Sequence, residues 1–98
     1  MDRSFLDQLR QQTSLRELIG RYVQWDRKKS EEGKGILWAC CPFHQEKTPS
    51  FKVDVGRGQY YCFGCHKKGD AISFLQDRDG LSFIEAVRQL ADMAGLTM

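Results

Sequence analysis

Apolar positions recur at helical spacing near both ends of the chain and alternate with polar ones in its middle. Phe5, Leu6 and Leu9 share one helical face, and Ser14 with Glu17 makes an S-x-x-E capping box that opens a second short helix through Leu15, Leu18 and Ile19, ended by Gly20. Near the other end Asp70 predicts the cap of a helix carrying Ala71, Ile72, Phe74 and Leu75. Ser82 with Glu85 forms a further box before Phe83, Ile84, Val87, Leu90 and Met93, closed by Gly95. Helices are thus expected over residues 3–20 and 70–95, with their apolar stripes in the core.

Between them, over residues 21–69, the period changes to two. Val23 and Trp25 alternate with Gln24 and Asp26; Ile36 to Cys40 is a short apolar run; Phe51, Val53 and Val55 alternate with Lys52 and Asp54; Gln59 to Cys62 follows a Gly56-Arg57-Gly58 turn. Four antiparallel strands are the simplest arrangement, with the 35–40 strand central because it is apolar on both faces. Lys28 to Gly35 reads as an extended polar loop. Alternation sends only one of Tyr60 and Tyr61 outward and puts Lys52 opposite Phe51. The fold class expected is α+β: a small antiparallel sheet flanked by helices at both ends, in one domain over residues 1–98.

The chain has 98 residues, of which 41% are hydrophobic and 29% charged, so it belongs with globular rather than disordered or fibrous sequences. No apolar run approaches the roughly 18 residues of a membrane helix, which excludes a transmembrane role. The opening residues lack the apolar stretch of a secretory signal, so a cytoplasmic location is expected. There, four cysteines point to a metal rather than to disulfides, because the cytosol keeps thiols reduced. A small core also gains most from such a staple.

The ligand pattern is Cys41-Pro42-Phe43-His44 and, after seventeen intervening residues, Cys62-Phe63-Gly64-Cys65. Zinc takes four thiolate or imidazole ligands in a tetrahedron, and each C-x-x-C or C-x-x-H knuckle presents two. Cys41, His44, Cys62 and Cys65 are therefore assigned to one structural zinc. Cys40 is one residue too far from His44 for the same knuckle and reads as a buried bystander. His66 in place of His44 would crowd three ligands into one turn and strand Cys41. A dithiol redox role for Cys62 and Cys65 lacks the expected βαβ setting, and four protein ligands leave no open position for catalytic water.

The net charge of +2 is unevenly spread: residues 1–20 are neutral, 21–70 carry +4 and 71–98 carry −2. A zinc dication with three thiolates lowers the middle only to +3. That segment interleaves its lysines and arginines with Trp38, Phe43, Phe51, Tyr60, Tyr61 and Phe63. Such a mixture suits a single nucleic-acid strand, since bases stack on aromatic faces while cations follow phosphates. Equally, it suits core aromatics beneath a solvated charged face. Composition leaves both open.

The run Cys41-Pro42-Phe43-His44-Gln45-Glu46-Lys47-Thr48-Pro49-Ser50-Phe51, then Tyr60-Tyr61-Cys62-Phe63-Gly64-Cys65, then Gly69-Asp70-Ala71-Ile72-Ser73-Phe74, resembles the N-terminal zinc-binding domain of bacterial DnaG-type DNA primases. The likeness extends from about Ser14 to the C-terminus. It implies a zinc ribbon on an antiparallel sheet, the same four zinc ligands, and a role in choosing the primer start site on single-stranded template. It also implies Lys47 and Pro49 as template contacts. Arg27, Lys28, Lys34, Lys52, Trp38 and Tyr61 are added because they lie on strands or hairpins nearby. His66 stands where that family often has glycine, and Gln59 where an aromatic is common.

Polymerisation needs a carboxylate cluster holding Mg²⁺, and the scattered acidic residues here suggest none. The expectation is a recognition domain that binds single-stranded DNA and presents it to an RNA polymerase domain in cis or in trans. The full-length protein would reach the replicative helicase. The rival expectation is a zinc-ribbon protein-docking module that contacts a partner through its acidic C-terminal helix.

Overall fold

The computed structural model describes residues 2–44 and 47–97; Gln45 and Glu46 of the sequence motif lie outside them. Two helices, α1 (Arg3–Gln12) and α2 (Leu15–Gly20), precede a four-stranded meander, and α3 (Ala71–Asp79) and α4 (Phe83–Ala94) follow it. The strands are β1 (Ile36–Ala39), β2 (Phe51–Asp54), β3 (Gln59–Cys62) and β4 (Lys68–Gly69), in spatial order β1-β2-β3-β4 and antiparallel throughout.

Strict alternation separates the faces of this sheet. Leu37, Ala39, Phe51, Val53, Tyr60 and Cys62 are buried on one side, where α1 to α4 add Leu9, Leu18, Ile19, Phe74, Leu75, Val87 and Leu90 to a continuous core. On the other side Trp38 is paired with Lys52, Lys52 with Tyr61, and Tyr61 with Lys68, a single row across all four strands. Tyr60 goes inward and Tyr61 outward, as the alternation required.

The helix ends follow the capping chemistry. Asp70 Oδ1 accepts from the Ser73 N–H (3.0 Å) while the Asp70 N–H donates to Ser73 Oγ (2.8 Å), and Ser82 and Glu85 reciprocate in the same way. Ser14 Oγ accepts from the Glu17 N–H at 3.2 Å. Gly69 leads directly into the α3 box: a Cβ there would fall 1.9 Å from Ser73 Oγ, so β4 and α3 approach this closely only over glycine.

Four expectations are corrected. Residues 23–26 form no strand; the fourth strand is β4, whose two residues are too few to show a period. The apolar 35–40 segment becomes an edge strand, not a central one. A loop covers its free edge: the Asp26 N–H donates to the Trp38 carbonyl (2.7 Å), and Ser30 Oγ accepts from the Trp38 N–H (2.9 Å). An edge closed in this way offers no template for another chain. Lys28 to Gly35 is not simply extended, since it contains a 3₁₀ turn at Glu32–Lys34 and a bridge from Glu31 to Ile36. Cys40 is exposed, because the alternation continues past β1: Leu37, Ala39 and Cys41 face the core, while Trp38 and Cys40 face outward. Among the described residues no helix is long and apolar enough to cross a membrane.

Candidate metal centre and aromatic sheet face

Both knuckles sit at the same end of the sheet, where β1 leaves into Cys41 and β3 ends in Cys62. The ligand atoms of Cys41, His44, Cys62 and Cys65 lie within 4.8 Å of one another. The sulfurs of Cys41 and Cys65 are 3.8 Å apart. That matches the edge of a tetrahedron with Zn–S bonds of about 2.3 Å, which is about 3.8 Å. Knuckle N–H groups already point at sulfur: Phe43 at Cys41 and Gly64 at Cys62, each 3.4 Å away. Donors so placed stabilise thiolates.

The two buried thiols respond differently. Burial pushes Cys41 up to about 12. Burial also pushes Cys62 up, but N–H donors from Cys65 and Gly64 together with the Ser50 hydroxyl outweigh it and lower its pKa. A dication overrides both, since a coordinating thiol is deprotonated outright. With four protein ligands the shell is closed, so the bound zinc is structural.

The knuckles send their phenylalanines in opposite directions. Phe43 packs among Phe74 (5.5 Å between centroids), Tyr60 (5.8 Å) and Phe51 (6.1 Å) on the core side. Phe63 is 55% exposed and lies on the outer sheet face. It stacks on Trp38 (5.7 Å, 25°) and meets Tyr61 edge to face (4.7 Å, 65°). Lys29 Nζ sits 3.8 Å above the Trp38 ring and donates to the Pro49 carbonyl at 2.9 Å. Beyond Tyr61 an open groove of about 520 Å³ is lined by Lys52, Arg57, Gln59 and Lys68.

A family model described as the CHC2 zinc finger matches residues 1–98. The chain belongs to that family. The CHC2 finger is 42% identical over 98 residues to the DNA primase of Lactococcus lactis, covering 100% of this chain and 15% of that protein. To the DNA primase of Deinococcus radiodurans it is 49% identical over 79 residues, covering 81% and 13%. The crystal structure of the Aquifex aeolicus primase zinc-binding and RNA polymerase domains superposes with a TM-score of 0.81 at 31% identity, over 96% of this chain and 22% of that one. The resemblance to primase zinc-binding domains is thereby established, and the chain spans about 15% or less of these curated relatives.

Within the CHC2 finger the residues singled out from sequence fall into three groups. Cys41, His44, Cys62 and Cys65 converge as one ligand set. Trp38, Lys52 and Tyr61 share the outer row, with half-buried Pro49 tied to it through Lys29 and exposed Lys47 in the same loop. Arg27, Lys28 and Lys34 lie apart. Arg27 opens on a separate cleft with Gln24, Trp25 and Asp26, Lys28 is held in a turn by Asp26 Oδ1 (2.9 Å), and Lys34 pairs with Glu31 (3.1 Å) beside the start of β1, away from the knuckles. Sequence reasoning did not select Phe63, Lys29, Lys68 or His66 for this face. The signal for Phe63 was available: it directly follows a buried ligand, so alternation carries it outward.

Proposed function

We propose that the outer face of the sheet binds single-stranded DNA at the primer start site and presents it to the RNA polymerase domain of a DNA primase. What supports this most directly is the outward aromatic cluster of exposed Phe63 with half-buried Trp38 and Tyr61, flanked by Lys29, Lys52 and Lys68. Unpaired bases stack on such rings at about 1–3 kcal/mol each, and the ammonium groups follow the phosphates. Lys47 and Pro49 extend the contact along the loop after β1; Arg27 and Lys28, apart from the row, add only positive charge that attracts the strand, and Lys34 contributes least because Glu31 already neutralises it.

Zinc in this scheme does no chemistry on nucleotides. It fixes both knuckles so that Phe63 and the end of the row are rigid before template arrives, which spares binding the cost of ordering them. Polymerisation belongs to the separate polymerase domain, reached in cis or in trans, and the replicative helicase is engaged through the full-length protein. The protein works in the cytoplasm, whose reducing poise keeps the thiolate ligands available.

Labelled oligonucleotides titrated at two salt concentrations test the proposal. Single-stranded DNA should bind more tightly than duplex, and log K should fall with log salt by about 0.7 per phosphate contacted. Addition of the chain to an isolated primase polymerase domain should restore start-site choice. Absence of binding at low salt would contradict template recognition and favour a protein-docking module, for which α4 exposes Phe83, Ile84 and Met93.

A further inference from the structure

His66 is the one residue other than glycine with positive φ (65°) among the described residues. It directly follows the last zinc ligand, and its backbone is fixed there by an N–H bond to the Cys62 carbonyl at 2.7 Å. Left-handed backbone disfavours most side chains, and a strained position that persists at the edge of a binding surface is a reason to ask what its side chain does. Here the side chain has a definite partner. His66 Nδ1 and the Tyr61 hydroxyl share a hydrogen bond of 2.9 Å, with the ring centroids 6.2 Å apart. Tyr61 in turn meets Phe63 edge to face and stands between Lys52 and Lys68 in the outer row.

We infer that His66 is a positioning residue for the template face: it carries the rigidity of the zinc knuckle through its ring to Tyr61, holding that ring in the orientation that stacks on an unpaired base. The inference rests on the proposed template reading and deepens it. Left-handed geometry is what allows the link. It turns the side chain of the residue after Cys65 back toward β3, where the ring reaches the hydroxyl five residues earlier in the chain. With the link in place, one aromatic rotamer is selected before binding. Freezing such a side chain on binding is worth a factor of about 2–12 in affinity. The imidazole acts here through its reach to the hydroxyl and not through its charge.

The test uses the zinc-loaded chain with His66→Gly, Tyr61→Phe and the double variant, measuring thermal midpoint, zinc content and affinity for a single-stranded oligonucleotide at low salt. Glycine relieves the backbone and removes the ring. The midpoint should therefore stay level or rise by up to about 5 °C, while affinity falls about 2–12-fold. A residue with only a structural role would lose stability and affinity together. Tyr61→Phe leaves the knuckle backbone untouched and should lose affinity by the same factor. The double variant should be no weaker than either single one, because each breaks the same link. Wild-type affinity in His66→Gly or Tyr61→Phe overturns the inference and spares the template reading. Losses that multiply in the double variant also overturn it, because His66 would then touch DNA independently. If the unaltered chain binds no single-stranded DNA, the template reading fails and the inference falls with it.

Discussion

Each zinc knuckle carries one phenylalanine, and the two have opposite surroundings. In Cys41-Pro42-Phe43-His44 the ring sits two residues after its cysteine and is clasped by Phe51, Tyr60 and Phe74. In Cys62-Phe63-Gly64-Cys65 it sits one residue after a buried cysteine and emerges on the outer face against Trp38 and Tyr61. A shift of one position relative to the ligand therefore decides whether a ring anchors the metal site to the core or serves the surface. Tyr60 and Tyr61 repeat the lesson on β3, the first 2% exposed and the second half-buried in the outer row. Residue type alone does not distinguish them; position relative to the metal and the pleat does.

The largest perturbation abolishes the comparison by removing its frame. Structural zinc is worth about 10–16 kcal/mol in finger peptides, against about 5–15 kcal/mol for a whole domain. Chelation should unfold both knuckles and the hairpins they clip, seen as loss of strand signal by circular dichroism together with release of one zinc per chain.

Next in size is the inward ring. Phe43→Ala should retain zinc yet cost about 3 kcal/mol in denaturant unfolding, the low end of what Phe-to-Ala changes cost in cores, because the ring is only half-buried. The outward ring should behave in reverse. Phe63→Ala should change stability by less than about 1 kcal/mol but weaken single-stranded DNA binding by about 5–150-fold, the equivalent of one lost base stack of about 1–3 kcal/mol. Equal stability losses for the two variants would break the contrast.

A smaller effect sharpens the tyrosine pair. Burial pushes the Tyr60 hydroxyl up to about 12, with the Ser73 hydroxyl opposing. Its folded pKa exceeds the unfolded value near 10, so the unfolded chain loses that proton first. The contribution of Tyr60 to stability is thus fully present below pH 10 and declines as pH rises toward about 12. Comparing urea midpoints of wild type and Tyr60→Phe across that window isolates it from the lysines: the gap between the two curves should change only above pH 10. Smallest of all is Lys34→Ala. Its exposed pair with Glu31 is worth less than about 1 kcal/mol, and DNA affinity should move by less than twofold.

The sequence made the metal site legible in full, because two short knuckles encode their ligands by spacing alone. It also made the helix ends legible through Ser14, Asp70 and Ser82, whose side chains act within three residues of themselves. What it could not carry was the lateral order of the sheet. Ile36 to Ala39 is apolar on both faces because Trp38 packs against a ring from the second knuckle and under Lys29, not because strands lie on both sides. These contacts join residues 25 and nine positions apart and leave no local period. The same holds for β4, whose two residues take their strand identity from pairing with Tyr60 and Tyr61. Cys40 follows the alternation onto the outer face, and its exposure there is hidden in the sequence because the run from Ile36 to Cys40 is apolar on both faces.

The central claim is that one bound zinc holds an outward aromatic face that binds unpaired DNA. The most direct measurement titrates one labelled single-stranded oligonucleotide, at two salt concentrations, into wild-type and Phe63→Ala chains whose zinc content is determined in the same samples. One zinc per chain in both, salt-sensitive binding by the wild type, and an affinity about 5–150-fold lower for Phe63→Ala are the predicted results. Equal affinities in two zinc-loaded samples, or no binding by either at low salt, would contradict the account.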